Sequence, residues 1–512
     1  GRKHMSRPSH ALPAAIESAP LPEVINHTEW PAQYFQHVDP HGEIFHVMVA
    51  KTSYSLASFV AGANGLPEPA LLPPDKQPPL CEADAFAGEV NASSVLQESD
   101  FAPYKPKCDV LLVNTVAYSP GGKPMRRWPV GFRFGDAIQK TLQVTGRRHF
   151  GRSLGTLGML SLTEPEPCTE IRIDYERAFG GPNLIGIERA LASYSQPAHP
   201  DKLAQLQHDA ARQAERDIPP HYSPNPIGCG REPIAVSNTR MALARVEGMA
   251  MTAQDARRHE DAARQQPVLG PQIEAFDRHY REEADYPTIG FGPVGRWWAP
   301  RIRLAGTHDE RWKQTQWPKS PLDHDYRYWN CAPEDQQIDY PQGGEEIVLA
   351  NLTPRPANDG GPIRFVLPRQ DLQLLVRLEV GVLMFAPMNI DTVLIDFKTA
   401  TLSVARRATV SAKAGVRQLE LGTWPPGTAM QAPSPAPLAW ARRKASVKGT
   451  VSSSWPCTNR IGHDTAAALR SGAMSSKRAP IASRTSQFCI ARLASTVPCM
   501  PGMPRNCESV PG

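Results

Sequence analysis

The sequence predicts a mainly β fold of the α+β class: a large antiparallel β-rich domain with an inserted helical region and a poorly ordered basic tail. Three observations support this prediction. The 512 residues include 52 prolines, which cannot donate to a helix or to a central β-ladder. Short segments rich in β-branched residues are separated by turns that contain Pro and Gly. Apolar residues at helical spacing occur mainly in one interval, in the middle of the chain.

Residues 1–21 are predicted to be a cloning remnant, which ends before Met5, followed by a flexible N-terminus. Basic residues occur early, but no continuous apolar stretch follows, so the pattern of a secretory signal is missing. No apolar run reaches the roughly 18 residues of a membrane-spanning helix. The nine cysteines form no CxxC pair and fit a reducing compartment. We therefore expect a cytoplasmic protein that has no contact with the membrane.

Residues 22–186 are predicted to form the N-terminal β part of one domain. Segment 170–176 alternates apolar and charged residues, as a strand with one wet face does. Segment 138–145 alternates in the same way, with Lys140 interrupting the apolar side. Segment 109–118 is apolar on both faces, which is typical of a central strand. The short strands and turns favour antiparallel pairing.

Residues 187–285 are predicted to be a helical insertion. Apolar residues fall at helical spacing in segments 201–217 and 271–284, and both segments have broad polar faces. Residues 286–412 are predicted to form the C-terminal β part, because alternating apolar segments return from about Glu345. We expect the two β parts to share one core, with the helices inserted between them.

Residues 413–512 are predicted to be a low-complexity basic tail, since periodicity vanishes after about Gly422. Segment 431–512 holds eleven Lys and Arg against two Asp and Glu, whereas the other residues hold 45 basic and 49 acidic groups. Two interpretations stay open for this tail: a disordered basic segment, or out-of-frame translation of a GC-rich gene. The body of the protein is mildly acidic, so we expect no nucleic-acid partner.

Two segments match catalytic motifs without the structural context that each motif needs. Residues 151–155 (GRSLG) match the GxSxG nucleophile motif, but the sequence that follows is a poor helix. Residues 290–295 (GFGPVG) match GxGxxG without a preceding strand or a following helix. We therefore predict no catalytic residue and no enzyme.

Histidines and carboxylates lie close together at 308–309 and 323–325, without the spacing of known metal sites. We predict no metal and no cofactor. His308 is expected to be a loop residue that forms hydrogen bonds, and Asp323 is expected to begin a turn or cap a short helix.

An aromatic and arginine cluster gives the candidate partner-binding residues. Tryptophan, tyrosine and arginine dominate binding hot spots because they bury a large area and keep a polar group. The alternative is that the rings fill the core, with arginines stacked on them. The candidates are Trp297, Trp298, Arg301, Trp312, Trp317, Tyr328 and Trp329.

Seven segments together carry a family resemblance. In order along the chain they resemble the signature blocks of the domain-of-unknown-function family 2169, and the similarity extends over roughly residues 22–410. The first segment is similar to the opening strand of that family. The segments are 49–56 (VAKTSYSL), 99–122 (SDFAPYKPKCDVLLVNTVAYSPGG), 175–183 (YERAFGGPN), 225–230 (NPIGCG), 290–312 (GFGPVGRWWAPRIRLAGTHDERW), 321–337 (PLDHDYRYWNCAPEDQQ) and 343–354 (GGEEIVLANLTP).

The resemblance implies an adaptor or chaperone of the bacterial type VI secretion system. Such a protein would bind an effector, through a PAAR-like or neighbouring region, and help load it onto the VgrG spike. The family has no established catalytic residues to transfer to this chain. Two other readings stay open: a carbohydrate-binding or carbohydrate-active protein with a tryptophan-lined groove, and a permanent component of the secretion spike.

The matched blocks also supply candidate scaffold residues. The glycines among them suit backbone positions with positive φ or close approach. Arg177 and Arg301 are expected to form buried bidentate pairs with carboxylates such as Asp309 or Glu334. The scaffold candidates are Lys51, Asp100, Lys105, Asp109, Arg177, Phe179, Gly180, Gly181, Asn225, Gly228, Gly306, Asp309 and Asn330.

Overall fold

A computed structural model of the chain describes residues 19–62, 65–152, 160–181, 222–230, 269–276, 287–354 and 361–424. All of them belong to the first of two units into which the chain divides, Gly1–Lys448. The helix predicted at 201–217, the N-terminal segment 1–18 and the chain after 424 lie outside the described residues.

Strands dominate the described part of the chain, which confirms the predicted mainly β fold. They are β1 (Glu23–Asn26), β2 (Ala32–Val38), β3 (Ile44–Ala61), β4 (Pro67–Leu71), β5 (Ala85–Phe86), β6 (Val95–Gln97), β7 (Cys108–Val113), β8 (Thr115–Tyr118), β9 (Arg127–Phe134), β10 (Ile138–Thr145), β11 (Phe150–Arg152), β12 (Leu160–Leu162), β13 (Glu170–Ile173), β14 (Phe179–Gly180), β15 (Cys229–Gly230), β16 (Ile273–Ala275), β17 (Gln337–Ile338), β18 (Glu346–Ala350), β19 (Ile363–Val366), β20 (Leu372–Leu378), β21 (Leu383–Pro387), β22 (Asn389–Asp396), β23 (Thr401–Ser411) and β24 (Val416–Thr423).

Three sheets form the framework. The central sheet has the order β17-β7-β22-β23-β3-β2, and β4 also pairs with β3. The five-stranded sheet has the order β16-β10-β9-β18-β19, and the four-stranded sheet has the order β1-β24-β20-β21. Most neighbours are antiparallel, as predicted. The pairs β7–β22, β1–β24 and β14–β15 are parallel instead.

One face of the central sheet packs against both other sheets. Tyr54 of β3 belongs to a core with Trp128 and Phe132 of the five-stranded sheet. Further towards the start of β3, Met48 belongs to a second core with Leu374 of the four-stranded sheet. The 18-residue β3 therefore spans two cores. The larger core draws on strands from both β-rich parts of the sequence, because the strands of each part pair with those of the other.

We name residues 287–336 the cover segment. Its start contributes Ile289 and Phe291 to the larger core, and Cys331 and Ala332 near its end cover the opposite face of the central sheet. The segment contains two short α-helices, α1 (Ala299–Ile302) and α2 (Glu310–Thr315), and two 3-10 helices, Tyr326–Trp329 and Glu334–Gln336. Successive residues of a strand point to opposite faces, so Leu111 and Val113 leave the larger core and pack against the cover segment at Cys331. None of the helices in the described ranges is long and apolar enough to cross a membrane.

The structure corrects several local predictions. The strand predicted at 109–118 is broken at Asn114, whose φ of 52° ends β7 and directs β8 to another partner. Asparagine tolerates this left-handed conformation. The helix predicted at 271–284 is wrong at its start, because β16 pairs with the edge of β10 there. That ladder outweighs a local helical pattern.

One further prediction is confirmed and one boundary is corrected. Lys140 keeps its place on the buried side of β10, because its Nζ donates to Asp335 Oδ1 and Gln336 Oε1, both at 2.8 Å. The predicted boundary at 412 is too early, since β24 continues the four-stranded sheet to Thr423. Its alternating residues Leu419 and Leu421 are buried in the second core.

Candidate functional site

Buried ion pairs connect the cover segment and the neighbouring loops to the central sheet. We name this set the ionic network. Five cations and five carboxylates contribute, and eight of the ten side chains are less than a tenth exposed. The pairs are Lys51–Asp100, Lys105–Asp109, Arg407–Asp391, Arg301–Glu98 and Arg296–Asp84.

Asp109, on β7, is the most connected carboxylate of the ionic network, and its side chain is 0% exposed. Its oxygens accept from Lys105 Nζ at 2.9 Å, from Asn330 Nδ2 at 3.1 Å and from the backbone N–H of Cys331 and of Ala332. Burial opposes the charge on Lys105, but the facing carboxylate outweighs it and holds the pKa of Lys105 above its usual range. Asp109 therefore ties the end of the cover segment to the central sheet.

A second part of the network joins β3, β22 and β23 to the loop before β7. Lys51 Nζ donates to Asp100 Oδ2 at 2.9 Å, and the same oxygen accepts the backbone N–H of Cys81. Arg407 donates through Nε to Asp391 at 2.6 Å and through Nη1 to the carbonyl of Asp100. Four of the predicted scaffold residues, Lys51, Asp100, Lys105 and Asp109, thus meet in one place, together with Asn330.

A small cavity lies inside the ionic network, lined by Lys51, Lys105 and Arg407 among others. Its free volume is about 20 Å³, enough for about one water molecule. Three cationic side chains and two carboxylates line it, and each of the three cations pairs with a carboxylate of the ionic network. The arrangement is that of a scaffold, in which every carboxylate has a cationic partner.

Arg301 forms the buried bidentate pair that the sequence predicts, but with a different carboxylate. Its two terminal nitrogens face the two oxygens of Glu98. It also donates to the backbone carbonyls of Tyr328 and Val294, which fixes the path of the cover segment around it. Burial opposes its charge, and the Glu98 carboxylate outweighs burial and raises the pKa of Arg301.

The predicted partners Asp309 and Glu334 are therefore wrong for Arg301. Asp309 caps α2 instead, where its carboxylate accepts the backbone N–H of Trp312 at 2.7 Å. Arg177 pairs with Asp174, three residues earlier, and its side chain is only half-buried. Sequence reasoning could not find Glu98, because nothing local relates it to a residue 203 positions away.

The glycine predictions hold where β14 and β15 pair in parallel. Gly180 and Gly181 have φ of 148° and 95°, and an added Cβ at Gly181 would lie 2.0 Å from the carbonyl oxygen of Gly228. Asn225 Nδ2 donates to the carbonyls of Tyr175 and Phe179, and these hydrogen bonds stabilise the pairing of the two short strands.

Gly306 likewise has a positive φ, of 92°, and an added Cβ would lie 2.9 Å from Asp323 Oδ1. The role predicted for Asp323 is wrong: its carboxylate accepts from the backbone N–H and the hydroxyl of Thr307, sixteen residues earlier. The local turn begins at Pro321, and Asp325 caps the short 3-10 helix that follows. His308 Nδ1 lies 3.1 Å from the carbonyl oxygen of Gly306, as expected for a loop residue that forms hydrogen bonds.

The candidate partner-binding residues divide into two groups. Trp298 is buried and meets Tyr175 edge to face at 5.0 Å. The guanidinium of Arg301 lies over the ring of half-buried Tyr328, and that of Arg296 lies over half-buried Trp329. Trp298 therefore fits the core interpretation, whereas Tyr328 and Trp329 are half-buried rings on which arginines stack.

Other members of the set face solvent. Trp317 is exposed and meets half-buried Trp312 edge to face at 5.6 Å, while Trp312 Nε1 donates to the carbonyl of Lys319. The cover segment also exposes two aliphatic residues that the sequence analysis missed, since lone apolar residues in polar stretches carry no periodic signal. We name the exposed set the apolar cover residues: Trp297 (41% exposed), Ile302 (42%), Trp317 (51%) and Leu322 (59%).

The segments that match catalytic motifs have ordinary packing roles where the structure describes them. In the 151–155 match, Gly151 and Arg152 lie in β11, and the serine lies outside the described residues. The 290–295 loop packs on Tyr175, whose hydroxyl donates to the carbonyl of Gly292. Within the described ranges, no three His, Cys, Asp or Glu side chains are placed to hold a metal ion.

A second contact joins the cover segment to the edge of the central sheet at β2. His37 Nε2 lies 3.0 Å from the Tyr326 hydroxyl, and the Tyr326 ring meets those of His324 and Tyr104 edge to face. Burial first, and the nearby His324 second, lower the pKa of His37 to about 4. Burial first, and the negative charge of Asp39 second, raise the pKa of Tyr326. Folding therefore favours the neutral imidazole.

Acid is expected to weaken the fold through His37. Above pH 6.5 the imidazole is neutral in both states, so its contribution to stability is complete; between pH 6.5 and about 4 only the unfolded chain takes up the proton. This difference lowers the free energy of unfolding by about 2–3 kcal/mol across that interval. Urea unfolding at several pH values measures it, with His37→Gln as the variant that cannot titrate. An unchanged slope in His37→Gln would contradict the assignment.

The comparisons with known proteins place the chain in a family. The model of the family described as "Uncharacterized protein conserved in bacteria (DUF2169)" matches residues 47–407, more than two-thirds of the chain. No curated protein matches the sequence, and no solved structure does. The matched range runs from β3 to β23 and includes the ionic network and the cover segment. The chain therefore belongs to the DUF2169 family of bacterial proteins.

Proposed function

We propose that the chain is a cytoplasmic adaptor or chaperone of the type VI secretion system. It binds an effector through a PAAR-like or neighbouring region and helps load that effector onto the VgrG spike. The observation that carries the proposal is the set of apolar cover residues, which stand on a segment that buried ion pairs attach to the central sheet. The secretion context comes from the family resemblance.

The physical argument concerns the cost of binding. Ordering a flexible surface on association costs free energy, and a surface that is already fixed avoids much of that cost. The cover segment is fixed at Arg301, Arg296 and Asn330. Trp297 and Trp317 present large indole rings with few rotatable bonds, the kind of side chain that dominates protein–protein hot spots. A protein ligand with apolar anchors suits this surface.

The carbohydrate reading receives less support from the ring geometry. Stacking along a sugar chain needs rings whose faces are presented side by side. The rings of Trp312 and Trp317 are inclined at 88°, and those of Trp297 and Trp298 at 86°. Neither pair forms a continuous flat platform, so we retain the protein ligand.

Removing the exposed side chains is expected to weaken effector binding without unfolding the chain. Trp317→Ala and Leu322→Ala should each raise the Kd for the purified product of the adjacent effector gene about tenfold, or about 1.4 kcal/mol. Isothermal titration calorimetry measures the Kd. Val90→Ala is the matched control, because Val90 is exposed to a similar degree (65%, against 51% for Trp317 and 59% for Leu322) but lies outside the cover segment. Failure to form a complex with any neighbouring gene product, or an equal loss in the control, would contradict the proposal.

A further inference from the structure

Strand β21 forms one outer edge of the four-stranded sheet. It pairs with β20 through residues 383–387, and no strand among the described residues pairs with its other edge. At its end, Pro387, which has no N–H to donate, lines a small cavity together with Tyr104 and Tyr340. Among the described residues, the unpaired edge that can donate N–H groups therefore runs from Leu383 to Phe385.

The register shows which backbone groups this edge presents. Leu378 N–H donates to the carbonyl of Val382, so residues 378 and 382 form a hydrogen-bonded pair at the hairpin. Hydrogen-bonded and non-hydrogen-bonded pairs alternate along an antiparallel ladder. Leu383 and Phe385 therefore direct their N–H and C=O groups away from β20. Pro387 follows the same alternation, at a position where its missing N–H costs no ladder bond.

The side chains of β21 set the chemistry of a strand that could join it. Outer strands usually carry charged residues that discourage further pairing. Glu23 of β1, Glu274 of β16 and Arg364 of β19 do so here, and the outer strands β2, β4 and β17 carry polar or charged side chains as well. Strand β21 reads LMFAP and has no polar side chain. It differs in this from the other outer strands that the structure describes in the three large sheets.

The hairpin that leads into β21 exposes three apolar residues, next to the exposed and charged Glu379. Val380 is 80% exposed, Val382 52% and Leu383 47%, and Gly381 turns the chain with a φ of 80°. A charged residue placed against Leu383–Phe385 would lose hydration without meeting an opposite charge on β21 itself. Charge complementarity thus selects a partner strand that is itself uncharged.

We propose that the open edge of β21 binds an extended, uncharged segment of another polypeptide as an added β-strand. Backbone hydrogen bonds to Leu383 and Phe385 would supply the pairing, and the apolar hairpin would contact alternate side chains of the added strand. The inference concerns a different surface from the apolar cover residues and stands independently of the proposed function.

Fluorescence anisotropy with a labelled, capped heptapeptide of alternating Thr and Val tests the inference on the full chain. The expected result is saturable binding, at least tenfold tighter than for the peptide with Lys in place of Val. Methylating alternate backbone nitrogens of the peptide should also weaken binding at least tenfold. Leu383→Pro removes an edge-facing N–H that β20 does not use, so it should weaken binding at least tenfold, whereas Leu383→Ala should have a smaller effect.

The N-methylated peptide keeps the test valid even if Leu383→Pro fails to fold, because the protein is then unchanged. Equal binding of the methylated and unmethylated peptides would overturn the inference. So would equal effects of Leu383→Pro and Leu383→Ala in folded variants. A dimer of the wild-type chain that Leu383→Pro dissociates would show that a second copy occupies the edge, which would also overturn the assignment of the occupant.

Discussion

Replacing Asp109 by alanine is expected to lower the free energy of unfolding by about 3–5 kcal/mol, the usual cost of breaking a buried ion pair by removing one partner. The substitution leaves the buried Lys105 ammonium without its counter-charge. It also leaves Asn330 Nδ2 and the backbone N–H groups of Cys331 and Ala332 without that acceptor. The expected loss is a large fraction of the stability of an ordinary domain.

Urea unfolding followed by circular dichroism measures the effect of Asp109→Ala. Asp339→Ala is the matched control, because Asp339 also pairs with a lysine, Lys107, but its side chain is 95% exposed. An exposed pair contributes about 0–1 kcal/mol. Similar losses for the two variants would contradict the role assigned to Asp109.

Arg301→Ala is the second substitution with a large expected effect, again about 3–5 kcal/mol, because it leaves Glu98 buried with one cationic neighbour fewer. It also removes the donors to the carbonyls of Tyr328 and Val294. Arg301→Lys keeps the charge but loses the planar, bidentate geometry, so we expect an intermediate loss. Since the cover segment depends on this residue, effector binding should weaken together with stability.

A double-mutant cycle separates the pair from its surroundings. If Arg301 and Glu98 act as one unit, Arg301→Ala combined with Glu98→Ala should cost clearly less than the sum of the two single losses. Arg327→Ala is the control, since the Arg327 side chain is largely exposed and pairs with Asp325 on the surface. Additive losses in the cycle, or a loss in Arg327→Ala equal to that in Arg301→Ala, would contradict the assignment.

The alternating segments were predictable as strands, because successive side chains of a β-strand point to opposite faces of the sheet. The predicted strand at 138–145 is β10, and the alternation of the 170–176 segment begins in β13. The helix prediction failed at β16, where the apolar spacing of Ile273 and Phe276 fits a helix equally well. A ladder with β10 decided the conformation there, and a partner strand far along the chain is not visible in a local pattern.

The sequence identified the types of residue in the candidate site, but it could not show which of those residues are exposed. Trp297 and Trp298 are neighbours of the same kind, yet one is exposed and the other is buried against Tyr175. Arg301 was recognised as a residue that needs a carboxylate, but the choice of Glu98 over Asp309 depends on how two loops meet.

By itself, the sequence determined the mainly β class, the uneven distribution of charge between a mildly acidic body and a basic tail, and the residue types of the scaffold. Alternation, composition and motif order can be read along the chain without knowledge of distant contacts. Only the tertiary structure decided which charges neutralise each other, which tryptophans remain at the surface and which strand keeps an open edge. Burial and pairing depend on contacts between residues distant in the chain: Lys51 meets Asp100, and Arg407 of β23 reaches the loop before β7. The cost of an unpaired buried charge selects among those contacts, and that cost exists only once the chain has folded.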